Sequence, residues 1–146
     1  MRREEPGISV GVTSPDRALG QWTADATADS IPELRHAVKA VIAPFPIDDL
    51  AVAQAFTEAA SNVVVHAYPA GQGEMRVEAV HRGREVRISV ADDGIGERGF
   101  TYPSEHPGLG LGLHLIHSFA DRVQISHPGR GTTIVMTFEL RPRAPD

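Results

Sequence analysis

The sequence predicts an α+β fold, a two-layer α/β sandwich in which helices cover one face of a mixed, mainly antiparallel sheet. Three segments have the apolar spacing of amphipathic helices, and two later segments alternate apolar and polar residues around short turns, as hairpins do. The 146 residues, 41% hydrophobic and 23% charged, suffice for one domain with a single core. We expect that domain at residues 18–140, between a flexible arm at 1–17 and a disordered tail at 141–146.

The first half of the chain predicts one strand and two helices. Leu19–Ala24 is a candidate strand, and Ser30 with Glu33 can form a capping box at the start of the first helix. Asp48 can cap a second helix, which extends to about Ala67. The apolar stripe that this second helix would place on the sheet consists of Val52, Phe56, Ala59 and Val63.

The second half of the chain predicts two hairpins with a loop and a helix between them. The strands of the hairpins, in chain order, are residues 74–80 and 85–91, then 123–126 and 132–140. Between the hairpins, residues 97–107 form a polar loop that contains Pro and Gly. A third helix follows from about Gly110 to Asp121.

Composition excludes several kinds of site. The chain has no cysteine, which excludes disulfides, thiolate catalysis and zinc–thiolate centres. Its net charge is −5 without a clustered basic stretch, so we expect no nucleic-acid partner. Because there is neither a signal peptide nor a run of about 20 apolar residues, we expect a cytoplasmic protein without a membrane partner. Lys39 is the only lysine, so the lysine that a Walker-type phosphate loop needs after its last glycine is missing.

The first motif with chemical meaning lies on the second predicted helix. Glu58, Asn62 and His66 are spaced at i, i+4 and i+8, so they fall on one side of the helix, away from its apolar stripe. The amide oxygen of Asn62 is a natural ligand for Mg²⁺, which prefers hard oxygens. Glu58, one turn away, could accept a proton from an attacking hydroxyl or water. Taken alone, the pattern is more typical of a solvated polar face.

The second motif, Asp92-Asp93-Gly94-Ile95-Gly96, directly follows a predicted strand. A carboxylate at a strand end accepts a hydrogen bond from an adenine amino group, and glycines let a flat ligand approach the backbone. The simpler interpretation is a plain turn, because Asp-Gly is common in turns.

The third motif opens the third predicted helix and consists of Gly108, Leu109, Gly110, Leu111 and Gly112. Backbone amides at a helix N-terminus form an anion site, although a glycine-rich packing loop is an equally simple interpretation. It is not a dinucleotide fingerprint, because the last glycine of that pattern would fall on Leu113 or Leu115. Thr132 and Thr133, at the start of the last strand, could add hydroxyls near phosphates.

In this order, the motifs resemble those of the GHKL ATPase superfamily, whose ATP-binding domain has the Bergerat fold. The resemblance extends from about Leu19 to Leu140 and is closest to the small anti-sigma factor serine kinases of bacterial stress and sporulation control. A sensor kinase would need a helical hairpin upstream, and gyrase-like members need a transducer domain downstream. We expect neither in 146 residues.

The resemblance implies roles for individual residues. Asn62 would coordinate Mg²⁺, and Asp92 would bind the adenine amino group in a pocket shaped by Gly94 and Gly96. The phosphates would be held by the third motif, that is, by Gly108, Gly110 and Gly112 with Leu109 and Leu111 between them, while Thr132 or Thr133 would lie near the adenine. Glu58 stands where the ATPases and serine kinases of the family have their general base.

As a whole, the resemblance implies an ATP-binding anti-sigma regulatory factor and serine/threonine kinase that uses ATP and Mg²⁺. It would phosphorylate a STAS-type anti-anti-sigma protein, sequester a sigma factor and form a homodimer. Two alternatives stay open, a non-catalytic protein-binding switch gated by nucleotide and a detached histidine-kinase catalytic domain. A domain that binds no nucleotide also stays open.

Overall fold

The computed structural model describes residues 16–96 and 114–142. The strands in this part of the chain are β1 (Arg17–Asp25), β2 (Glu74–Arg82), β3 (Glu85–Asp92), β4 (Arg122–Ser126) and β5 (Thr133–Glu139). The helices are α1 (Ser30–Ile42) and α2 (Asp49–Asn62), and α2 continues as a π-helical turn, Val63–Ala67. Residues 114–119 are also helical.

The five strands form one sheet in the order β1-β2-β3-β5-β4. Each of the four pairings between these strands is antiparallel, so the sheet expected to be mixed is fully antiparallel within the described residues. The predicted α+β sandwich is confirmed. Because β3 and β5 are antiparallel neighbours, the end of β3 lies beside the start of β5, where Ala91 pairs with Thr133.

The helices cover one face of the sheet, and alternation along the strands builds the core there. The buried apolar residues of the three central strands are Met75, Val77 and Ala79, then Val86, Ile88 and Val90, then Ile134, Met136 and Phe138. Helix α2 contributes Val52 and Phe56, and helix α1 contributes Val38, all completely buried. Successive side chains of a strand point to opposite faces, so the residues between these positions lie on the other face. None of the helices described above covers that face, and we call it the helix-free face.

The helix-free face has polar and charged side chains. Glu85 accepts hydrogen bonds from Arg87 at 2.7 Å and from Arg122 of the edge strand β4 at 3.0 Å. Partial burial raises the pKa of Glu85, but the hydrogen bonds from the two guanidinium groups outweigh it and the pKa is lowered overall.

One predicted helix cap is confirmed and the other is wrong. The Asp48 side chain accepts from the Ala51 N–H at 3.1 Å, as expected for the cap of α2. The capping box of Ser30 with Glu33 does not form, because Ser30 is already the first helical residue and Asp29 precedes it without a side-chain cap. The Ser30 hydroxyl lies 3.2 Å from the hydroxyl of Thr27 instead.

The second helix extends to Ala67 as predicted, but its last five residues form a π-helical turn. Turns of this kind are rare and are often found at functional sites. At the end of this turn the Ala67 carbonyl accepts the N–H of Ile95 at 2.9 Å. The helix end is thereby connected to the segment that follows β3.

The hairpins and the third helix differ from their predicted bounds by a few residues. Arg82 pairs with Glu85, so the first hairpin has a two-residue loop rather than the four residues expected. Gly83 in that loop has φ +60°, which favours glycine. The third helix ends at residue 119 instead of Asp121, because the Asp121 N–H donates to the Thr137 carbonyl of the sheet.

Several predicted segments lie outside the described residues: most of the arm (1–15), the loop at 97–107, the start of the third helix and the end of the tail (143–146). The first tail residue, Arg141, donates its N–H to the Pro46 carbonyl at 2.8 Å, and its guanidinium lies 3.2 Å from the Asp48 carboxylate. In the ranges that are described, no helix is long and apolar enough to cross a bilayer.

The packing of α2 on the sheet generates the first prediction. Phe56 is completely buried, whereas Leu50 on the same helix is 63% exposed. We expect Phe56→Ala to lower the free energy of unfolding by about 3–5 kcal/mol, because it removes buried apolar area and leaves a cavity. Leu50→Ala is the matched control, with an expected change within about 0.5 kcal/mol. Urea denaturation measures both, and equal losses would contradict this packing.

Candidate functional site

The centre of the candidate site is the carboxylate of Asp92, the last residue of β3. Only 6% of Asp92 is exposed. Its Oδ1 accepts the N–H of Gly94 at 2.9 Å and the N–H of Thr132 at 3.3 Å. In the other direction, the Asp92 N–H donates to the Thr132 carbonyl at 2.9 Å. Two segments that are 40 residues apart in sequence are therefore connected at this carboxylate.

The electrostatics of Asp92 favour a ligand that donates a hydrogen bond. Burial raises the pKa of Asp92, while the hydrogen bonds from the Gly94 and Thr132 N–H groups lower it and offset part of the rise. All the hydrogen bonds that described residues make to this carboxylate go to Oδ1. Oδ2 is left to accept from a ligand, and an amino group of a flat base is such a donor.

The neighbouring residue Asp93 has the opposite environment. It lies on the helix-free face, where Arg76 makes two hydrogen bonds to it, at 2.7 and 3.2 Å. The hydrogen bond from Arg76 lowers the pKa of Asp93 and raises that of the guanidinium. Of the two consecutive aspartates in the motif, Asp92 is therefore the buried acceptor and Asp93 is one half of an exposed ion pair.

Several backbone segments come close together beside Asp92. A methyl group on Gly94 would overlap the Ala67 carbonyl, and one on Gly131 would overlap the Asp92 carbonyl. Gly96 and Gly131 have φ values of +64° and +86°, which side-chain-bearing residues rarely adopt. The glycines of the second motif therefore let three backbone segments approach closely, which fits a cradle for a flat ligand.

Tyr68 is a residue that sequence analysis did not identify. Its hydroxyl donates to the Glu74 carbonyl at 2.6 Å and accepts the Asp93 N–H at 2.8 Å. A methyl group on Gly73 would overlap the Tyr68 ring, so the ring lies directly on that glycine. Tyr68 thus joins the end of the π-helical turn, the start of β2 and the turn after Asp92. Its position next to a helix end is the only signal in the sequence.

Glu58 and Asn62 lie one turn apart at the end of α2, and both are half-buried. His66 was expected on the same line, but it belongs to the π-helical turn, whose wider winding displaces it from the i+4 position of an α-helix. The described ranges contain no cluster of three or more His, Cys, Asp or Glu side chains that could hold a metal. Asn62 fits Mg²⁺ as a single amide-oxygen ligand, since that ion keeps several waters and binds phosphate oxygens.

The two candidate threonines lie on opposite faces of the sheet. Thr132 is buried beside Asp92, and its hydroxyl lies 3.2 Å from His127 Nδ1. Thr133 lines a cavity of about 480 Å³ on the helix-free face, together with Arg76 and Ser89. Thr132 is therefore the threonine that contacts Asp92. The third motif, from Gly108 to Gly112, lies outside the described residues.

Comparison with known protein families agrees with this arrangement. A family model described as the histidine kinase-like ATPase domain matches residues 24–138, which is most of the chain. The chain belongs to this family. The resemblance to GHKL ATPases drawn from the motifs is thereby confirmed.

Among curated proteins, this histidine kinase-like ATPase domain is similar to proteins of two names. It is 35% identical over 103 residues to the serine-protein kinase RsbW of Bacillus thuringiensis, with 62% of each chain covered. It is also 35% identical over 99 residues to the anti-sigma F factor of Clostridium acetobutylicum, covering 62% of this chain and 68% of that one. The chain thus spans about three fifths of the length of the RsbW proteins it matches.

Among solved structures, the chain is similar to a Mycobacterium tuberculosis protein with RsbU and RsbW domains. The TM-score is 0.64 at 26% identity, covering 88% of this chain and 34% of that one. The histidine kinase domain of an Erythrobacter litoralis blue-light activated kinase matches with a TM-score of 0.53 at 21% identity, covering 63% of this chain and 44% of that one. The second likeness concerns the fold alone.

The contact between Gly94 and Ala67 generates a prediction about the ATPase domain. We expect Gly94→Ala to cost about 3 kcal/mol of stability, because the obstacle is a backbone carbonyl that cannot rotate away. Gly83→Ala is the control; it has open space around it and should cost only about 1 kcal/mol for its positive φ. Denaturation and the amide NMR signals of Ile95 and Thr132 measure the difference. Unmoved signals in Gly94→Ala would contradict the close approach.

The opposite environments of the two aspartates predict opposite pH dependences. Since the pKa of Asp92 is raised by folding, its contribution to stability is full below the ordinary aspartate pKa of about 3.9 and is lost as pH rises through the raised value. We therefore expect Asp92→Asn to be more stable than the wild type at pH 7, with the difference vanishing in acid.

The control is Asp93→Asn, for which the sign is reversed. The pKa of Asp93 is lowered by folding, so its contribution is present above the ordinary pKa and is lost as pH falls through the lowered value. This variant should be less stable than the wild type at pH 7. Urea denaturation at several pH values measures both, and the same sign for both variants would refute the assignment.

Proposed function

We propose that the protein is an ATP-dependent serine/threonine kinase that also acts as an anti-sigma factor. In this proposal it binds ATP with Mg²⁺, phosphorylates a small STAS-type anti-anti-sigma protein and sequesters a sigma factor. It would act in the cytoplasm as a homodimer. The observation that carries the proposal is the buried carboxylate of Asp92: two backbone N–H groups donate to its Oδ1, and within residues 16–96 and 114–142 no group donates to Oδ2.

That carboxylate supports adenine as the base. Asp92 Oδ2 would accept the amino group, and the flat ring would lie against backbone in the space that Gly94 and Gly96 leave. The phosphates would then extend toward the end of α2 and the glycines of the third motif, Gly108, Gly110 and Gly112, with Leu109 and Leu111 between them. Thr132, whose N–H donates to Asp92 Oδ1, would lie on the adenine side.

The other end of the site supports phosphoryl transfer. Asn62 would hold Mg²⁺ through its amide oxygen, and the ion would neutralise phosphate charge. Glu58 lies one turn before Asn62 on α2, where it would accept the proton of the substrate hydroxyl. The hydroxyl oxygen then forms a bond to the γ-phosphorus, the bond between that phosphorus and the β–γ bridging oxygen breaks, and ADP leaves.

The relatives support the regulatory part of the proposal. Two proteins similar to this chain are named serine-protein kinase RsbW and anti-sigma F factor, each at 35% identity. A serine kinase acts on a hydroxyl, and such a transfer needs the substrates positioned, the phosphate charge neutralised and a base beside the acceptor. Glu58 supplies a candidate for that base, which favours a serine or threonine acceptor over a histidine, since histidine is itself a nucleophile.

The role of Glu58 generates a prediction for activity. We expect Glu58→Gln to bind Mg·ATP within about twofold of the wild type but to transfer phosphate to a STAS-domain protein about 10²–10⁴ times more slowly. Glu33→Gln, an exposed carboxylate change on α1, should leave both properties unchanged. Stabilisation by Mg·ATP measures binding, and radiolabelled ATP measures transfer.

The same experiment separates the alternatives. Undiminished transfer by Glu58→Gln would refute its role as base. Binding of Mg·ATP by the wild type without label on the partner would favour the nucleotide-gated switch. Acid-labile label on a partner histidine would favour a detached histidine-kinase catalytic domain, and the absence of any stabilisation by Mg·ATP would refute nucleotide binding itself.

A further inference from the structure

The loop between β4 and β5 places a histidine in contact with Thr132, the residue whose N–H donates to Asp92. His127 Nδ1 lies 3.3 Å from the Gly131 carbonyl and 3.2 Å from the Thr132 hydroxyl oxygen. Thr132 in turn donates its N–H to Asp92 Oδ1. A chain of polar contacts therefore connects the His127 ring, through Thr132, to the carboxylate at the centre of the site.

The two contacts of His127 Nδ1 determine which ring nitrogen carries the proton. A carbonyl oxygen can only accept a hydrogen bond, so the Gly131 carbonyl requires a proton on Nδ1. A lone pair on Nδ1 would instead face the lone pairs of that oxygen, which is unfavourable. The ring therefore carries a proton on Nδ1, and this N–H is shared between the Gly131 carbonyl and the Thr132 hydroxyl oxygen.

The tautomer of His127 fixes the direction of the Thr132 hydroxyl. A hydroxyl has one proton to donate, and it can rotate to donate or accept as its neighbours require. Because the Thr132 oxygen accepts from Nδ1–H, its own proton cannot point at the ring. The hydroxyl is thereby available as a donor to another partner, beside a carboxylate whose Oδ2 is left to accept.

We propose that His127 is a specificity-determining residue that makes the site select adenine over guanine by keeping the Thr132 hydroxyl a donor. Adenine presents an amino donor next to a ring-nitrogen acceptor, which matches Asp92 and Thr132 in order. Guanine presents a carbonyl acceptor next to a ring N–H donor and is mismatched at both positions. The inference rests on the proposed function, since it assigns base selectivity to the same site.

Without His127, half of this discrimination is lost. The Thr132 hydroxyl could then rotate to accept the ring N–H of guanine, leaving only the carboxylate of Asp92 to reject that base. Rejection by a polar site depends on the cost of leaving a buried group unpaired, so each fixed polar group adds to it. His127 thus acts as a positioning residue that needs no contact with the base.

Two substitutions of nearly the same shape test this role. His127→Asn keeps an N–H donor at about the position of Nδ1, whereas His127→Leu places a methyl group there. The ratio of the GDP and ADP dissociation constants, measured by calorimetry in Mg²⁺, reports selectivity. We expect the ratio to fall about five- to tenfold in His127→Leu, because one hydrogen bond is lost. In His127→Asn it should stay within about twofold of the wild type. His36→Leu, an exposed change on α1, should have no effect.

A second measurement needs neither a variant nor a ligand. The ¹⁵N chemical shifts of the His127 ring in the nucleotide-free wild type distinguish the two neutral tautomers. A proton on Nδ1 supports the inference, and an Nδ1 without a proton overturns it even if His127→Leu fails to fold.

Failure of the proposed function and failure of the role of His127 give different results. If the wild type binds ADP and His127→Leu keeps the wild-type ratio, the inference about His127 is wrong and the proposed function stands. If the wild type binds neither nucleotide, the proposed function fails and the base selectivity fails with it. A lowered ratio in both His127→Leu and His127→Asn would show a packing role for the ring and overturn the inference.

Discussion

The candidate site depends on the double connection between Asp92 and Thr132. The Asp92 N–H donates to the backbone carbonyl of Thr132, and the Thr132 N–H donates to the Asp92 carboxylate. A buried carboxylate without partners would be costly and would take up a proton. The N–H groups of Thr132 and Gly94 offset part of this cost, so the carboxylate can remain an acceptor inside the protein.

This connection also determines how the site is lined. The strands that carry Asp92 and Thr132 approach so closely that Gly131 has no room for a side chain. On the other side, the π-helical turn brings the Ala67 carbonyl against Gly94 and the N–H of Ile95. Backbone from the end of helix α2 and from two strands therefore meets at one carboxylate. A lining of peptide groups offers a flat surface and many polar atoms to a ligand.

The two faces of the sheet divide the polar residues between different tasks. Side chains alternate along β3 and β5, so Asp92 and Thr132 lie on the helix-covered face while Asp93 and Thr133 lie on the other. On the covered face the charge is buried and bonded to backbone N–H groups. On the helix-free face Arg76 pairs with Asp93 in solvent, where such pairs contribute little to stability. Residues that are adjacent in sequence thus have different environments, because side chains along a strand alternate between the two faces of the sheet.

The sequence by itself determined the order and type of the helices and strands, the cap at Asp48 and the separate motifs, because periodicity, turns and caps are local properties. The tertiary structure decided the rest. Ser30 became the first residue of α1 instead of its cap, and Tyr68 connects three segments only through groups distant in sequence. Likewise, only the pairing of β3 with β5 bonded Asp92 to Thr132. Such contacts depend on strand pairing and on close backbone approach, neither of which a local pattern contains.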